Sequence, residues 1–89
     1  MKIRQYMINK GYTPFNEDNG LTLYLKGSIP NKKCFYNAFI ELDEKTLEIK
    51  DYGLNVDALI GDEMEYKRLV YLYKDLDKVL EAIRNRRGE

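Results

Sequence analysis

Four residues in the last third of the chain recur at a spacing that would place them on one side of a helix. Lysines in such a row can neutralise successive phosphates, and a tyrosine between them can stack on a base. The simpler interpretation is a solvated helix face, because lysine is a good helix former. We call this set the basic ridge; it consists of Lys67, Tyr71, Lys74 and Lys78, at i, i+4, i+7 and i+11.

Three arginines follow the basic ridge, and we call Arg84, Arg86 and Arg87 the arginine tail. Guanidinium groups bind phosphate well. Cations at the C-terminus of a helix also interact favourably with the helix dipole, by about 0.3–1 kcal/mol each. The tail therefore has a structural explanation as well as a nucleic-acid-binding one. The carboxylates in "GDEMEYKR", which opens the same segment, would repel phosphate.

Residues suited to catalysis are scarce. The chain contains no histidine, which removes the commonest general base and the commonest metal ligand. The lone Cys34 has the strand parity of Ala38 and is expected to point inward, where a thiol without a base is inert. Glu41 and Glu48 are expected to face each other across a hairpin, but no further ligand converges on them. We therefore predict that the chain is not an enzyme and uses no cofactor or metal.

A second candidate surface consists of aromatic and charged residues on three strand-like segments. Alternation in "LTLYLKGSI", "CFYNAFIEL" and "LEIKDY" separates an apolar face from a face with large aromatic content. Aromatic side chains among mixed charges can anchor a protein partner. The predicted aromatic face consists of Tyr24, Phe35, Phe39, Tyr52, Glu41, Glu48 and Lys50.

These strand-like segments predict an antiparallel meander with a definite register. Turns at Pro30-Asn31 and at residues 43–46 would join the three strands, and every inner-face residue would then meet an apolar partner. The predicted pairs are Leu21 with Ile40, Leu23 with Ala38, Leu25 with Tyr36, Leu42 with Leu47, and Ile40 with Ile49.

Helices are predicted before and after the meander along the chain. "KIRQYMINKG" reads as a short helix that stops at Gly11. Asn19-Gly20 is a strong turn signal, and Pro14 would confine a fourth strand before Leu21 to a sheet edge. Asp62 and Glu65 form a capping signal for a long helix over about residues 62–86. Its apolar stripe consists of Leu69, Leu72, Tyr73, Leu76, Val79, Leu80 and Ile83.

The predicted fold is therefore α+β, as one domain over residues 1–89. A short N-terminal helix precedes an antiparallel meander of three strands, with room for a fourth, and a long C-terminal helix packs on one sheet face. A chain of 89 residues has room for one core but hardly for a deep active site as well.

Charge and cysteine content narrow the function classes. The 15 basic and 15 acidic residues balance, so any electrostatic function must come from a local patch. Residues 41–66 are the acidic part, with two basic and nine acidic side chains. A single cysteine favours the reducing cytoplasm. No apolar run is long enough for a membrane span, and no signal peptide is expected at the start.

These observations predict a non-enzymatic protein-binding module that uses the aromatic face and the acidic stretch from Asp43 to Glu65. Its size and composition would suit a small inhibitor or accessory protein of a phage or mobile element. Two alternatives stay open. One is nucleic-acid binding through the basic ridge and the arginine tail, and the other is a self-associating structural protein in which the aromatic face forms a homodimer.

Overall fold

The computed structural model describes residues 2–27, 36–56 and 63–88. The elements are α1 (Ile3–Asn9), β1 (Thr13–Asp18), β2 (Leu21–Gly27), β3 (Tyr36–Asp43), β4 (Ile49–Val56) and α2 (Glu63–Arg87). The strands form one antiparallel sheet in the order β1-β2-β3-β4. The predicted α+β meander between a short and a long helix is confirmed, and β1 is the fourth strand for which the sequence left room.

Asn19 and Gly20 form the turn between β1 and β2. Both have positive φ, 53° and 86°, as a two-residue type I′ hairpin turn requires. Pro14 lies in β1, an edge strand with a neighbour on one side only. Proline is tolerated in edge strands because its missing N–H can face away from the neighbouring strand. The predicted turn and the predicted edge position are both confirmed.

A glycine ends α1 and directs the chain into the sheet. Gly11 has a φ of 90°, which is the left-handed conformation that ends many helices. The backbone N–H of Tyr12 then donates to the carbonyl oxygen of Met7 at 2.9 Å. This closure buries both Met7 and Tyr12 against the inner face of the sheet.

The hydrophobic core lies between one face of the sheet and the two helices. The apolar stripe predicted for α2 is confirmed at five positions, whereas Leu69 is only partly buried and Tyr73 is 60% exposed. Tyr73 was therefore wrongly assigned to the core, because the packed stripe is narrower than the apolar spacing suggests. The buried apolar residues are Met7, Tyr12, Tyr24, Ala38, Ile40, Leu42, Leu72, Leu76, Val79, Leu80 and Ile83.

An ion pair joins the sheet to α2 beside this core. The Nζ of Lys26 in β2 lies 2.6 Å from Oδ2 of Asp75 in α2, and both side chains are partly buried. The same ammonium group lies 5.7 Å from the ring centroid of Tyr12, within the range of a cation–π interaction. Within the described residues, no helix has the length and hydropathy that crossing a membrane requires.

The register between β2 and β3 differs by three residues from the prediction. Leu23 lies opposite Glu41 instead of Ala38, and the neighbouring pairs shift with it. An odd shift moves every side chain of the strand to the other face of the sheet. The prediction that placed Leu21, Leu23 and Leu25 in the core is therefore wrong.

Thr22 and Tyr24 occupy the core positions of β2 instead. Both are buried, and both hydroxyls donate to the carboxylate of Glu44, that of Thr22 at 3.0 Å. Burial of these polar groups is tolerated because each has a hydrogen-bond partner, while the Tyr24 ring supplies apolar surface. The assignment of Tyr24 to an exposed aromatic face is therefore wrong.

An irregularity in the pairing of β3 with β4 changes the alternation of β4. Ile49 lies opposite Leu42 and Asp51 lies opposite Glu41, so Lys50 is an extra residue with no partner in the ladder. Such a bulge shifts all later side chains by one position.

Because of this bulge, Tyr52 lies opposite Ile40 on the helix side of the sheet. The prediction that placed it on the opposite, aromatic face is wrong. The predicted pairing of Glu41 with Glu48 is wrong as well, since Asp51 takes that position.

The predicted turn at residues 43–46 joins β3 to β4. The carboxylate of Asp43 accepts hydrogen bonds from the backbone N–H groups of Lys45 at 2.9 Å and Thr46 at 3.2 Å. The turn closes through Leu47, whose N–H donates to the Asp43 carbonyl at 2.7 Å and whose φ is 61°. Leu47 is thus a turn residue, and its predicted pairing with Leu42 is wrong.

Some predictions fall outside the described residues. These are the turn at Pro30-Asn31, the positions of Cys34 and Phe35, and the capping residue Asp62.

Candidate functional site

The sheet face that points away from the helices carries a row of apolar side chains. Both helices pack on the opposite face, since residues of α1 and α2 share one core with the inner side chains of the sheet. No described helix lies over the outer side, which we call the helix-free face. Its centre is partly exposed and consists of Leu21, Leu23, Leu25 and Phe39.

A glycine in β4 gives Phe39 its position on this face. Gly53 lies opposite Phe39, and a Cβ atom at Gly53 would lie 3.1 Å from Cε1 of the Phe39 ring. The ring therefore lies across the backbone of β4, an arrangement known to compensate for the missing side chain of a strand glycine. Lying flat, the ring widens the apolar surface beside Leu25, its partner in β2.

Carboxylates cluster at one end of the helix-free face. They flank Leu21 and Leu23 in neighbouring strands, and no lysine or arginine occupies a paired position of this face among the described strands. Lys50, which has no partner in the ladder, is nevertheless close enough to Asp43 to contribute to its lowered pKa. The four carboxylates belong to Asp18, Glu41, Asp43 and Asp51.

One of these carboxylates is held ionised, and two others lie opposite each other in neighbouring strands. Backbone N–H groups of Lys45 and Thr46 hold the pKa of Asp43 below its usual value, so this group is charged at neutral pH. Glu41 lies directly opposite Asp51, and like charges at opposed positions destabilise a strand pair. A cation placed between them from outside would remove this repulsion.

The structure separates the residues of the predicted aromatic face. Phe39 and Glu41 lie on the helix-free face, as predicted. On the helix side, Tyr52 is 49% exposed and the Arg84 Cζ lies 5.9 Å from its ring centroid. Glu48 and Lys50 pair with each other at 2.8 Å beside the bulge.

Sequence reasoning missed the three leucines of the helix-free face. The alternation Leu21, Leu23, Leu25 indicates a strand, but it does not say which face of the strand is buried. No signal within β2 itself would have corrected this, because the buried Thr22 and Tyr24 depend on a carboxylate 20 or more residues away.

The basic ridge lies on the solvent side of α2. All four of its residues are exposed, and Tyr71 is 70% exposed. The spacing therefore placed these residues on a common face of the helix as predicted.

The arginine tail is exposed in the last turn of α2. Its arginines meet tyrosines from two other elements: Arg84 lies near Tyr52, and the Cζ of Arg86 lies 5.0 Å from the ring centroid of Tyr6 in α1. These ring contacts give two of the three arginines a structural role that differs from the helix-dipole interaction expected from the sequence.

Metal-ligating residues do not converge in the described part of the chain, where no three Asp, Glu, Cys or His side chains form a group that would hold a metal ion. Comparison with known protein families, curated protein sequences and solved structures finds no match to this chain. Any functional conclusion must therefore come from the surfaces themselves.

Proposed function

We propose that this protein is a non-enzymatic protein-binding module whose contact surface is the helix-free face. The observation that supports this proposal is a partly exposed row of three leucines and a phenylalanine that ends in four carboxylates. Apolar side chains on a sheet face otherwise pack against a further layer. An apolar centre beside a charged rim is typical of a protein interface.

The charge of this face defines the chemistry of the partner. A complementary partner carries an apolar patch next to lysines or arginines. Its cations would meet the acidic end and relieve the repulsion between Glu41 and Asp51, while its apolar patch would cover Leu23 and Leu25. Charge complementarity of this kind raises the association rate and selects against acidic partners.

A small protein with this surface is suited to occupying a basic groove on a larger protein. We therefore retain the proposal of an inhibitor or accessory protein of a phage or mobile element, acting in the cytoplasm. Size, the acidic and apolar face, and the single cysteine support it.

Replacement of Leu23 by lysine tests the proposal. The new ammonium group would lie opposite Glu41, a favourable cross-strand pair, so the fold is expected to be retained. Affinity purification from the source cells is expected to recover a partner with the wild-type protein, and the Leu23→Lys variant is expected to bind it about tenfold more weakly or worse.

Tyr71→Lys is the matched control, because it makes a similar replacement at an exposed position of α2. It is expected to retain the partner at wild-type affinity, and circular dichroism would establish that both variants are folded. Equal recovery of the same partner by wild-type and Leu23→Lys protein would contradict the proposal. The purification could instead recover only a second copy of this chain. If the wild-type protein then has the mass of a dimer and the Leu23→Lys variant that of a monomer, the self-association alternative is favoured.

A further inference from the structure

A cleft lies where the start of α1, the turn after β3 and the end of α2 meet. Its volume is about 430 Å³, within the usual range of small-molecule sites. It is on the helix side of the sheet and shares no residue with the helix-free face. We call it the basic cleft; it is lined by Lys2, Ile3, Arg4, Glu44, Lys45, Leu47 and Arg86.

Four cations from three separate parts of the chain line this cleft, against one carboxylate. That carboxylate, Glu44, accepts hydrogen bonds from Tyr24, Thr22 and Arg4, the last at 3.3 Å. The negative charge of Glu44 is thus already stabilised by hydrogen bonds within the protein. Arg4 also pairs with Glu17.

Lys2 and Lys45 make no ion pair within the described part of the chain, and both are exposed. The Cε of Lys45 passes close to Gly20, where an added Cβ would lie 3.2 Å away. The guanidinium of Arg86 lies over the Tyr6 ring, which limits its conformational freedom before any ligand arrives. A guanidinium that is restrained in this way loses less conformational entropy on binding an anion.

An apolar patch and a second basic recess adjoin these cations. Ile3 and Leu47 supply the apolar part of the lining. Leu47 also borders a smaller recess of about 120 Å³, which Arg84 and Arg87 line. Leu47 holds a φ of 61°, unfavourable for a residue with a branched side chain, and strained residues of this kind are concentrated at functional sites.

We propose that the basic cleft binds the phosphate of a nucleotide, either free or at the end of a single-stranded nucleic acid. Lysine and arginine are the usual phosphate ligands, and the apolar patch of Ile3 and Leu47 offers contact area to a sugar or base. A nucleic acid would continue past Leu47 towards Arg84 and Arg87. This inference is independent of the protein-binding function, because the two surfaces lie on opposite sides of the sheet.

Titration calorimetry with ATP, inorganic phosphate and a short 5′-phosphorylated oligothymidylate tests the proposal. The variant Lys2→Glu/Lys45→Glu reverses two exposed charges in the cleft. Lys74→Glu/Lys78→Glu is the matched control, since it makes the same change in net charge on the basic ridge. We expect the cleft variant to bind ATP about tenfold more weakly, which corresponds to about 1.4 kcal/mol, and the ridge variant to bind like the wild type.

Several results would overturn the proposal. These are absence of ATP binding to the wild-type protein at millimolar concentration, equal losses in the two variants, or equal affinity for ATP and inorganic phosphate. The variant Arg84→Glu/Arg87→Glu distinguishes the two sources of the phosphate. If this variant binds the oligonucleotide more weakly but binds ATP like the wild type, the ligand is a nucleic-acid end. The affinity for the oligonucleotide is then also expected to decrease as the salt concentration is raised from about 50 to about 200 mM. If this variant binds the oligonucleotide and ATP as the wild type does, the ligand is a free nucleotide.

Discussion

The phenol of Tyr24 combines burial with a bond to a carboxylate. Burial, followed by the hydrogen bond to Glu44 and the charge of that carboxylate, raises the pKa of Tyr24 well above its usual 10.0. Burial likewise raises the pKa of Tyr12, with a smaller contribution from Asp75. Both rings are therefore neutral in the folded protein over the whole physiological range.

These two shifts predict loss of stability in alkali. A raised pKa in the folded state means that the unfolded chain releases its protons more readily, so stability is full below pH 10 and falls as the pH rises above it. Urea unfolding, followed by circular dichroism from about pH 8 to about pH 12, would measure this. The double variant Tyr12→Phe/Tyr24→Phe is expected to lose less stability over the same interval. A fall of equal size in both proteins would show that other groups are responsible.

At the scale of the element, the sequence was sufficient for the type and order of the two helices and of β2, β3 and β4. It only left room for β1, and it did not decide the faces of β2 and β4. Alternation of apolar and polar residues indicates a strand, but it does not say which face of that strand is buried. In β2 the decision depends on Glu44, whose carboxylate accepts from both Thr22 and Tyr24. In β4 it depends on the bulge at Lys50. Long-range hydrogen bonds and bulges leave no periodic signal, so the helix-free face could not be predicted.

The long helix α2 was predicted more closely, because a 3.6-residue period over 25 residues identifies the buried side many times over. Its one error, Tyr73, lies at the margin of the stripe. The arginine tail was recognised, but its neighbours Lys2 and Lys45 come from distant parts of the chain. The basic cleft therefore had no sequence signal.

Alanine substitutions in α2 would measure the width of the packed stripe. Leu76 is almost completely buried, so Leu76→Ala is expected to reduce the free energy of unfolding by about 2–5 kcal/mol. Tyr73→Ala, three residues earlier on the same helix, is expected to change it by about 0.5 kcal/mol or less. Chemical denaturation would give both values, and a comparable loss at Tyr73 would place that ring back in the core.

At the scale of the whole molecule, the described elements share a single core. Met7 of α1, the inner side chains of the sheet and the stripe of α2 are in one contiguous cluster. The ion pair of Lys26 with Asp75 further ties the sheet to the helix. No described element has a second core on which it could remain folded alone.

This arrangement predicts cooperative unfolding. The urea transitions followed by far-ultraviolet circular dichroism and by tyrosine fluorescence are expected to coincide, as for a two-state protein of this size. The circular dichroism signal is dominated by the helices, whereas the tyrosines are spread over both helices and the sheet. Separate midpoints for the two probes would mean that α2 leaves the sheet before the sheet unfolds.

The order of the strands also affects how the chain folds while it is being synthesised. Each described strand pairs with its neighbour in sequence, so each pairing closes a short loop at little entropic cost, and hairpins form in about 1–10 μs. The 25-residue helix that covers the inner face follows all four strands along the chain. At about 5–20 residues per second, a ribosome needs about 1–5 s to make it. Until α2 is complete, α1 is the one described helix that can shield the apolar side of the hairpins that have already formed.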